Sequence, residues 1–149
     1  MGLVLFNSYQ RIYSLQLLYL TVLAAETEKS LKINSFKSLP SYDDINFRLD
    51  TNEGPFLLKV FHGMISKLKV RLEEQVQFQY FLKENGIMVP GIRKDKAGRL
   101  QSYRPMKVSN GETMECAVRL LEYIPGQIAQ KLPLYNKFFH EIGMIVLKL

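Results

Sequence analysis

The chain has 149 residues, 47% of them hydrophobic, which is enough for about one domain with a sizeable core and argues against disorder or a fibrous repeat. Its net charge of +6 favours anionic partners, but the Lys and Arg residues are scattered and not interleaved with aromatics, so nucleic acid is not an expected partner. The single cysteine, Cys116, excludes an internal disulfide framework and fits a reducing, cytoplasmic compartment, and the two histidines, far apart in sequence, offer no metal-ligand spacing.

Residues 1–30 open with "MGLVLFNSYQRIYSLQLLYLTVLAAE". A membrane span needs about 20 predominantly apolar residues. Here Asn7, Ser8, Gln10, Arg11, Ser14 and Gln16 interrupt the run, so a span is not expected. The stretch reads as an amphipathic or buried helix, or as an unreliable start to the chain. "LQLLYLTVLAA" could alternatively serve as a signal-peptide core.

From Leu31, "LKINSFKSL" alternates apolar and polar residues and predicts a strand, followed by the loop "PSYDD". "NFRLD" alternates again, "TNEGP" supplies turn residues, and "FLLKVF" returns as the antiparallel partner of a hairpin. "SKLKVRLEEQVQFQYFLKENG" predicts a helix with Leu68, Leu72, Val76 and Tyr80 on one stripe, broadened by Phe81 and Leu82 and stopped at Gly86. "GIRKDKAGRLQSYRPMKVSNGETMECAVRLLEYIPG" reads as strand, turn, strand, with Asn110-Gly111 as the hairpin turn. "LYNKFFHEIGMIVLKL" closes as an amphipathic helix with Phe138, Ile142, Ile145 and Leu149 on one side. The expected fold is α+β: an antiparallel five-stranded sheet carrying one long helix, with a helix at each end.

Within "GPFLLKVF", alternation puts Lys59 on the side of Leu57 and Phe61, opposite Leu58 and Val60. A lysine there either snorkels to solvent from an open face or neutralises an anion. Its context, after a polar loop and before an acidic helix, is that of a phosphate-binding lysine steadied by a helix carboxylate. The helix offers Glu73, Glu74 and the neighbouring Gln75; a solvated helix face is the alternative for the glutamates. The loop "LPSYDDINF" has no glycine, so phosphate contacts would come from backbone N–H groups and from Ser41 and Asn46. Asp43 and Asp44 are ill placed beside phosphate unless they turn away or cap the turn.

"LPSYDDINFRL", "FLLKV", "FLKENGIMVP" and "VRLLEYIPGQ", in this order and spacing, resemble the amino-terminal lobe of the hydroxylysine kinase family. That family lies in the aminoglycoside-phosphotransferase and choline-kinase-like branch of the protein-kinase-like fold. The resemblance runs from about Leu31 to Leu149. It implies a kinase-like lobe over 31–126, with the first helix after the hinge beginning a second lobe over 127–149. It also implies that Lys59 is the phosphate-binding lysine and that Ser41 to Phe47 cover the nucleotide phosphates. Glu122, Tyr123 and Ile124 would form the hinge, with backbone groups of Glu122 and Ile124 reading the purine edge. The implied ligands are GTP, or ATP, with Mg2+, and a small amino-acid or amino-alcohol acceptor, 5-hydroxylysine in the family enzyme.

Two departures bear on activity. Gln75 aligns best with the helix position that usually carries the glutamate paired with the lysine. The family's "HGD-x-x-x-x-N" loop and later metal-binding aspartate have no counterpart up to Leu149, since His140 is followed by Glu141 and Ile142. No catalytic or metal-binding residue is therefore expected in these residues, and the chain by itself is expected to be inactive. The alternatives are a related kinase acting on homoserine, choline or an aminoglycoside, or a truncated, non-catalytic binding or regulatory module.

Overall fold

The computed structural model describes residues 31–107, 112–126 and 136–146. The expected helix in residues 1–30, the Asn110-Gly111 turn and Leu149 lie outside the described residues. In chain order the elements are β1 (Ile33–Leu39), β2 (Ile45–Thr51), β3 (Gly54–Val60), a one-turn helix α1 (Gly63–Ser66), α2 (Lys69–Glu84), β4 (Ile92–Arg93), β5 (Ser102–Lys107), β6 (Thr113–Glu122) and α3 (Asn136–Val146). The chain divides into two units, one of residues 1–69 and 91–123, the other of residues 70–90 and 124–149.

The first unit is an antiparallel sheet ordered β1-β2-β3-β6-β4, with β5 also paired to β6. It has six strands where the sequence predicts five. The added strand is the two-residue β4, which pairs Ile92 and Arg93 with Leu121 and Leu120. A tight turn separates it from β5. Asp95 Oδ1 accepts from the N–H groups of Ala97 and Arg99, both at 2.9 Å, and Gly98 adopts φ +76°. Aspartate at the first and glycine at the fourth position suit such a turn, which Gly98 N–H closes on the Asp95 carbonyl at 2.9 Å. Burial alone would raise the Asp95 carboxyl, but hydrogen bonds from Arg99 and Ala97 outweigh it and hold the group below its ordinary value. Its stabilising share is therefore present above the unfolded carboxyl pKa and lost as pH falls through the lowered folded one.

The β2–β3 hairpin is the one the sequence predicts. Thr51 faces Gly54 in register, Thr51 Oγ1 accepts from Glu53 N–H at 3.1 Å and donates to the Gly54 carbonyl at 2.7 Å, and Gly54 adopts φ +107°. Beyond the turn the period of two takes over. Phe47, Leu49, Phe56, Leu58 and Val60 pack into one core with Val118, Leu120, Cys116 and Met106. Asn46, Arg48, Leu57 and Lys59 take the opposite face and are only half-buried. At the β1 edge, Ser35 donates to Asp50 at 3.0 Å and Arg48 pairs with the same carboxylate, which together hold Asp50 below the usual carboxylate range.

Strand β6 is central, and Cys116 to Leu121 are all buried, Arg119 among them. Helix α1 is fastened to it through Ser66, 2% exposed, whose Oγ accepts from Ala117 N–H at 2.8 Å. Burial pushes the Cys116 thiol above its ordinary pKa. Cys116 is therefore expected to react with 5,5′-dithiobis(2-nitrobenzoate) only on unfolding. Rapid labelling of the native protein at pH 8 would contradict this placement.

In the second unit, α2 ends as expected. Gly86 takes φ +72°, its N–H donates to Lys83 O at 3.1 Å, and Ile87 N–H reaches back to Leu82 O at 3.0 Å. The buried stripe is narrower than the sequence predicts. Leu72 and Val76 are fully buried, whereas Tyr80 and Phe81 are exposed, as is Leu68 just before the helix. The helical period places these residues on one side, but burial depends on what packs against them from outside the helix. On α3, Phe138 is half-buried and meets Phe139 edge to face at 5.7 Å, while Phe139, Ile142 and Met144 are exposed. Among the described residues no helix is long and apolar enough to cross a membrane.

Candidate functional site

Lys59 lies on the half-polar face of β3, not in the core. Its neighbour across β2 is Asn46 and its neighbour across β6 is Arg119. Residues directly opposite in an antiparallel pair share a face, so one strip of the sheet carries Asn46, Lys59 and Arg119 side by side. Phe61, two residues on, completes it: Lys59 Nζ is 5.0 Å and Arg119 Cζ 4.8 Å from the centre of its ring. Both cations thus rest against the negative face of one aromatic ring.

The loop between β1 and β2 reaches this strip through Asp44. Its Oδ2 lies 2.5 Å from Lys59 Nζ, and its Oδ1 accepts from His62 N–H at 3.0 Å. Ser41 Oγ donates to the Asp44 carbonyl, closing the loop on itself. Asn46 Oδ1 is buried with no hydrogen-bond partner. Arg119, 4% exposed, donates from Nε to Gln101 Oε1 at 2.9 Å, and Gln101 in turn donates to the Tyr103 hydroxyl at 2.6 Å. A strip holding two cations and an unfilled amide acceptor is chemically suited to a polyanion that also carries a donor.

Of the residues that the sequence singles out, Lys59 and Asn46 come together in register, and Ser41 sits in the loop whose Asp44 meets Lys59. Phe47 does not join them. It is 4% exposed, lies opposite Leu58 and belongs to the core, because a one-residue step along a strand reverses the face. Glu73, Glu74 and Gln75 are exposed on α2, in the second unit, with Glu73 accepting from Gln77 at 3.3 Å.

At the end of β6, Glu122 N–H donates to the Gly91 carbonyl at 2.8 Å, and its carboxylate accepts from Gly91 N–H at 3.0 Å. A side chain on Gly91 would have its Cβ 2.5 Å from that carboxylate, so the flexible, exposed Glu122 side chain would have to move aside. Tyr123 N–H donates to the Pro55 carbonyl at 3.2 Å, and its ring lies under Arg48, 4.8 Å away. The boundary between the two units falls between Tyr123 and Ile124.

Two residues of the strip escaped the sequence reading. Arg119 stands inside the apolar run "CAVRLLEYI", where only the β3–β6 register shows that it faces Lys59. Asp44 as the partner of Lys59 depends on how the loop folds back, for which local sequence carries no signal.

An α+β fold with a mostly antiparallel six-stranded sheet, few helices and a lysine on the half-buried face of its third strand is consistent with the amino-terminal lobe of a kinase. No family model matches the chain. Sequence comparison supplies the closer relation. The chain is 30% identical over 132 residues to hydroxylysine kinase of Bos taurus, covering 83% of this chain and 35% of that protein. It is 32% identical over 108 residues to hydroxylysine kinase of Danio rerio (72% and 30% covered) and 30% identical over 125 residues to that of Xenopus laevis (79% and 33%). The protein is hydroxylysine-kinase-like over most of its length. It spans about a third of the length of the curated relatives it matches.

Proposed function

We propose that this chain supplies the nucleotide-binding lobe of a small-molecule kinase, and that the whole enzyme transfers a phosphoryl group from GTP to the hydroxyl of 5-hydroxy-L-lysine. The observation that carries the reading is Lys59. Its ammonium stands on an open sheet face beside Arg119 and the partnerless Asn46 acceptor, in a chain similar to proteins named hydroxylysine kinase.

In this reading Lys59 neutralises phosphate oxygens, and the 41–47 loop covers them with backbone N–H groups and Ser41. The Glu122 N–H is committed to Gly91, so Glu122 offers a purine its carbonyl, with Ile124 N–H as the accompanying donor. Among the described residues no three His, Cys, Asp or Glu side chains converge to hold a metal ion. Mg2+ and the base that accepts the hydroxyl proton belong in this reading to a catalytic lobe outside these residues, which contain no H-G-D-x-x-x-x-N run.

The test is a phosphorylation assay on a polypeptide that carries this sequence together with a catalytic lobe, offering GTP or ATP with Mg2+. Turnover of 5-hydroxylysine with GTP supports the proposal. Preference for homoserine, choline or an aminoglycoside would assign the lobe to another kinase of the same branch. A folded protein that binds neither nucleotide would favour a non-catalytic interaction module, for which the exposed Phe139, Ile142 and Met144 on α3 provide an apolar surface.

A further inference from the structure

We propose that Asp44 is a built-in competitor for the anion site: its carboxylate occupies Lys59 in the nucleotide-free protein, and a phosphate group must displace it to bind. The inference rests on the reading of Lys59 as the phosphate-binding lysine.

One carboxylate makes two contacts that fasten the loop at the end of β3, Oδ2 to Lys59 Nζ at 2.5 Å and Oδ1 to His62 N–H at 3.0 Å. A phosphate presents the same pattern, two anionic oxygens accepting from an ammonium and a backbone N–H. Carboxylate and phosphate cannot share that position, because two anions brought to one site repel. A second cation stands in the same strip, Arg119, whose Cζ is 4.8 Å from the centre of the Phe61 ring that Lys59 also meets. Asp44 is the acid that meets Lys59, whereas Asp43, its neighbour, is exposed.

The consequence is quantitative. Apparent affinity falls by the fraction of molecules whose lysine is free. A partly exposed ion pair of this kind, with side chains 26% and 23% exposed, shifts that fraction by about two- to fivefold. Removing the competing charge therefore tightens binding by about that factor. A residue that merely held the lysine in place, as a helix carboxylate does in kinases, would give the opposite sign.

The experiment is isothermal titration of inorganic tripolyphosphate, and of GTP with Mg2+, into the full chain and its variants Asp44→Asn, Asp44→Ser, Asp43→Asn and Lys59→Met, each checked for folding by thermal melt. The expected result is tighter binding for both Asp44 variants, less than half that gain for Asp43→Asn, and weaker binding for Lys59→Met. Weaker or unchanged binding in the Asp44 variants, with Lys59→Met still weakened, overturns the competitor role and leaves the proposed function standing. An equal gain from Asp43→Asn overturns it too, since loop charge alone would then account for the effect. Unfolding of both Asp44 variants would make Asp44 a structural residue and overturn it likewise. Binding unaffected by Lys59→Met, or absent throughout, overturns the reading of Lys59 and this inference with it.

Discussion

Leu58→Ala is expected to cost about 3 kcal/mol of folding stability, within the usual range for a leucine truncated in a packed core. Leu58 is 2% exposed and packs in the cluster that joins β2, β3 and β6, so the cavity would open at the middle of the sheet. Domains of this size have about 5–15 kcal/mol in total, so the loss is a large share, and the melting temperature should fall by about 10 °C. Urea unfolding should show a lower midpoint with an unchanged slope. Leu57→Ala, one residue earlier and on the half-buried face, should cost less than half as much. A larger loss from Leu57→Ala than from Leu58→Ala would mean that the β2–β3–β6 register is wrong, because a one-residue slip exchanges the two faces.

Lys59→Met, the next residue along, should reverse that pattern: a small change in stability and a large one in binding. The pair with Asp44 is partly exposed, so its loss costs about 1 kcal/mol or less, and a methionine thioether can replace the ammonium's contact with the Phe61 ring by a sulfur–aromatic one. In the proposed site the ammonium hydrogen-bonds a charged phosphate, an interaction of about 1.5–3 kcal/mol, so nucleotide affinity should fall about 10- to 100-fold. Titration of GTP with Mg2+ into both proteins decides it, provided their melts agree within a few degrees. Unchanged affinity would remove Lys59 from the phosphate site. Loss of folding instead would mean that the lysine is a structural residue whose partner, Asp44, cannot be left alone.

Adjacent residues with opposite roles are a direct result of strand geometry, and this much is legible in the order of residues. Alternation in "FLLKVF" places Leu58 inside and Lys59 outside, "TNEGP" turns the chain back, and Asn85-Gly86 ends the long helix. Each depends on side-chain period or on backbone conformations open to few residue types, which are local properties. Local signals also mislead where burial is decided from outside the segment. The α2 stripe is apolar from Leu68 to Phe81 by spacing, yet only Leu72 and Val76 are covered. The strand count falls short by one because a two-residue strand has no period to recognise and exists only through its pairing with Leu120 and Leu121.

By itself, the sequence determines the α+β class, the β2–β3 hairpin, the open face that carries Lys59 and the likeness to hydroxylysine kinases. Only the tertiary structure decides which groups surround that lysine. Asp44 reaches it by the folding-back of a loop, and Arg119 by the pairing of residues 60 positions apart, Lys59 against Arg119. Neither separation leaves a periodic trace along the chain. Phe47 shows the same division from the other side: it adjoins Asn46 in sequence, but the pleat sends it into the core, away from the site its neighbour helps to form.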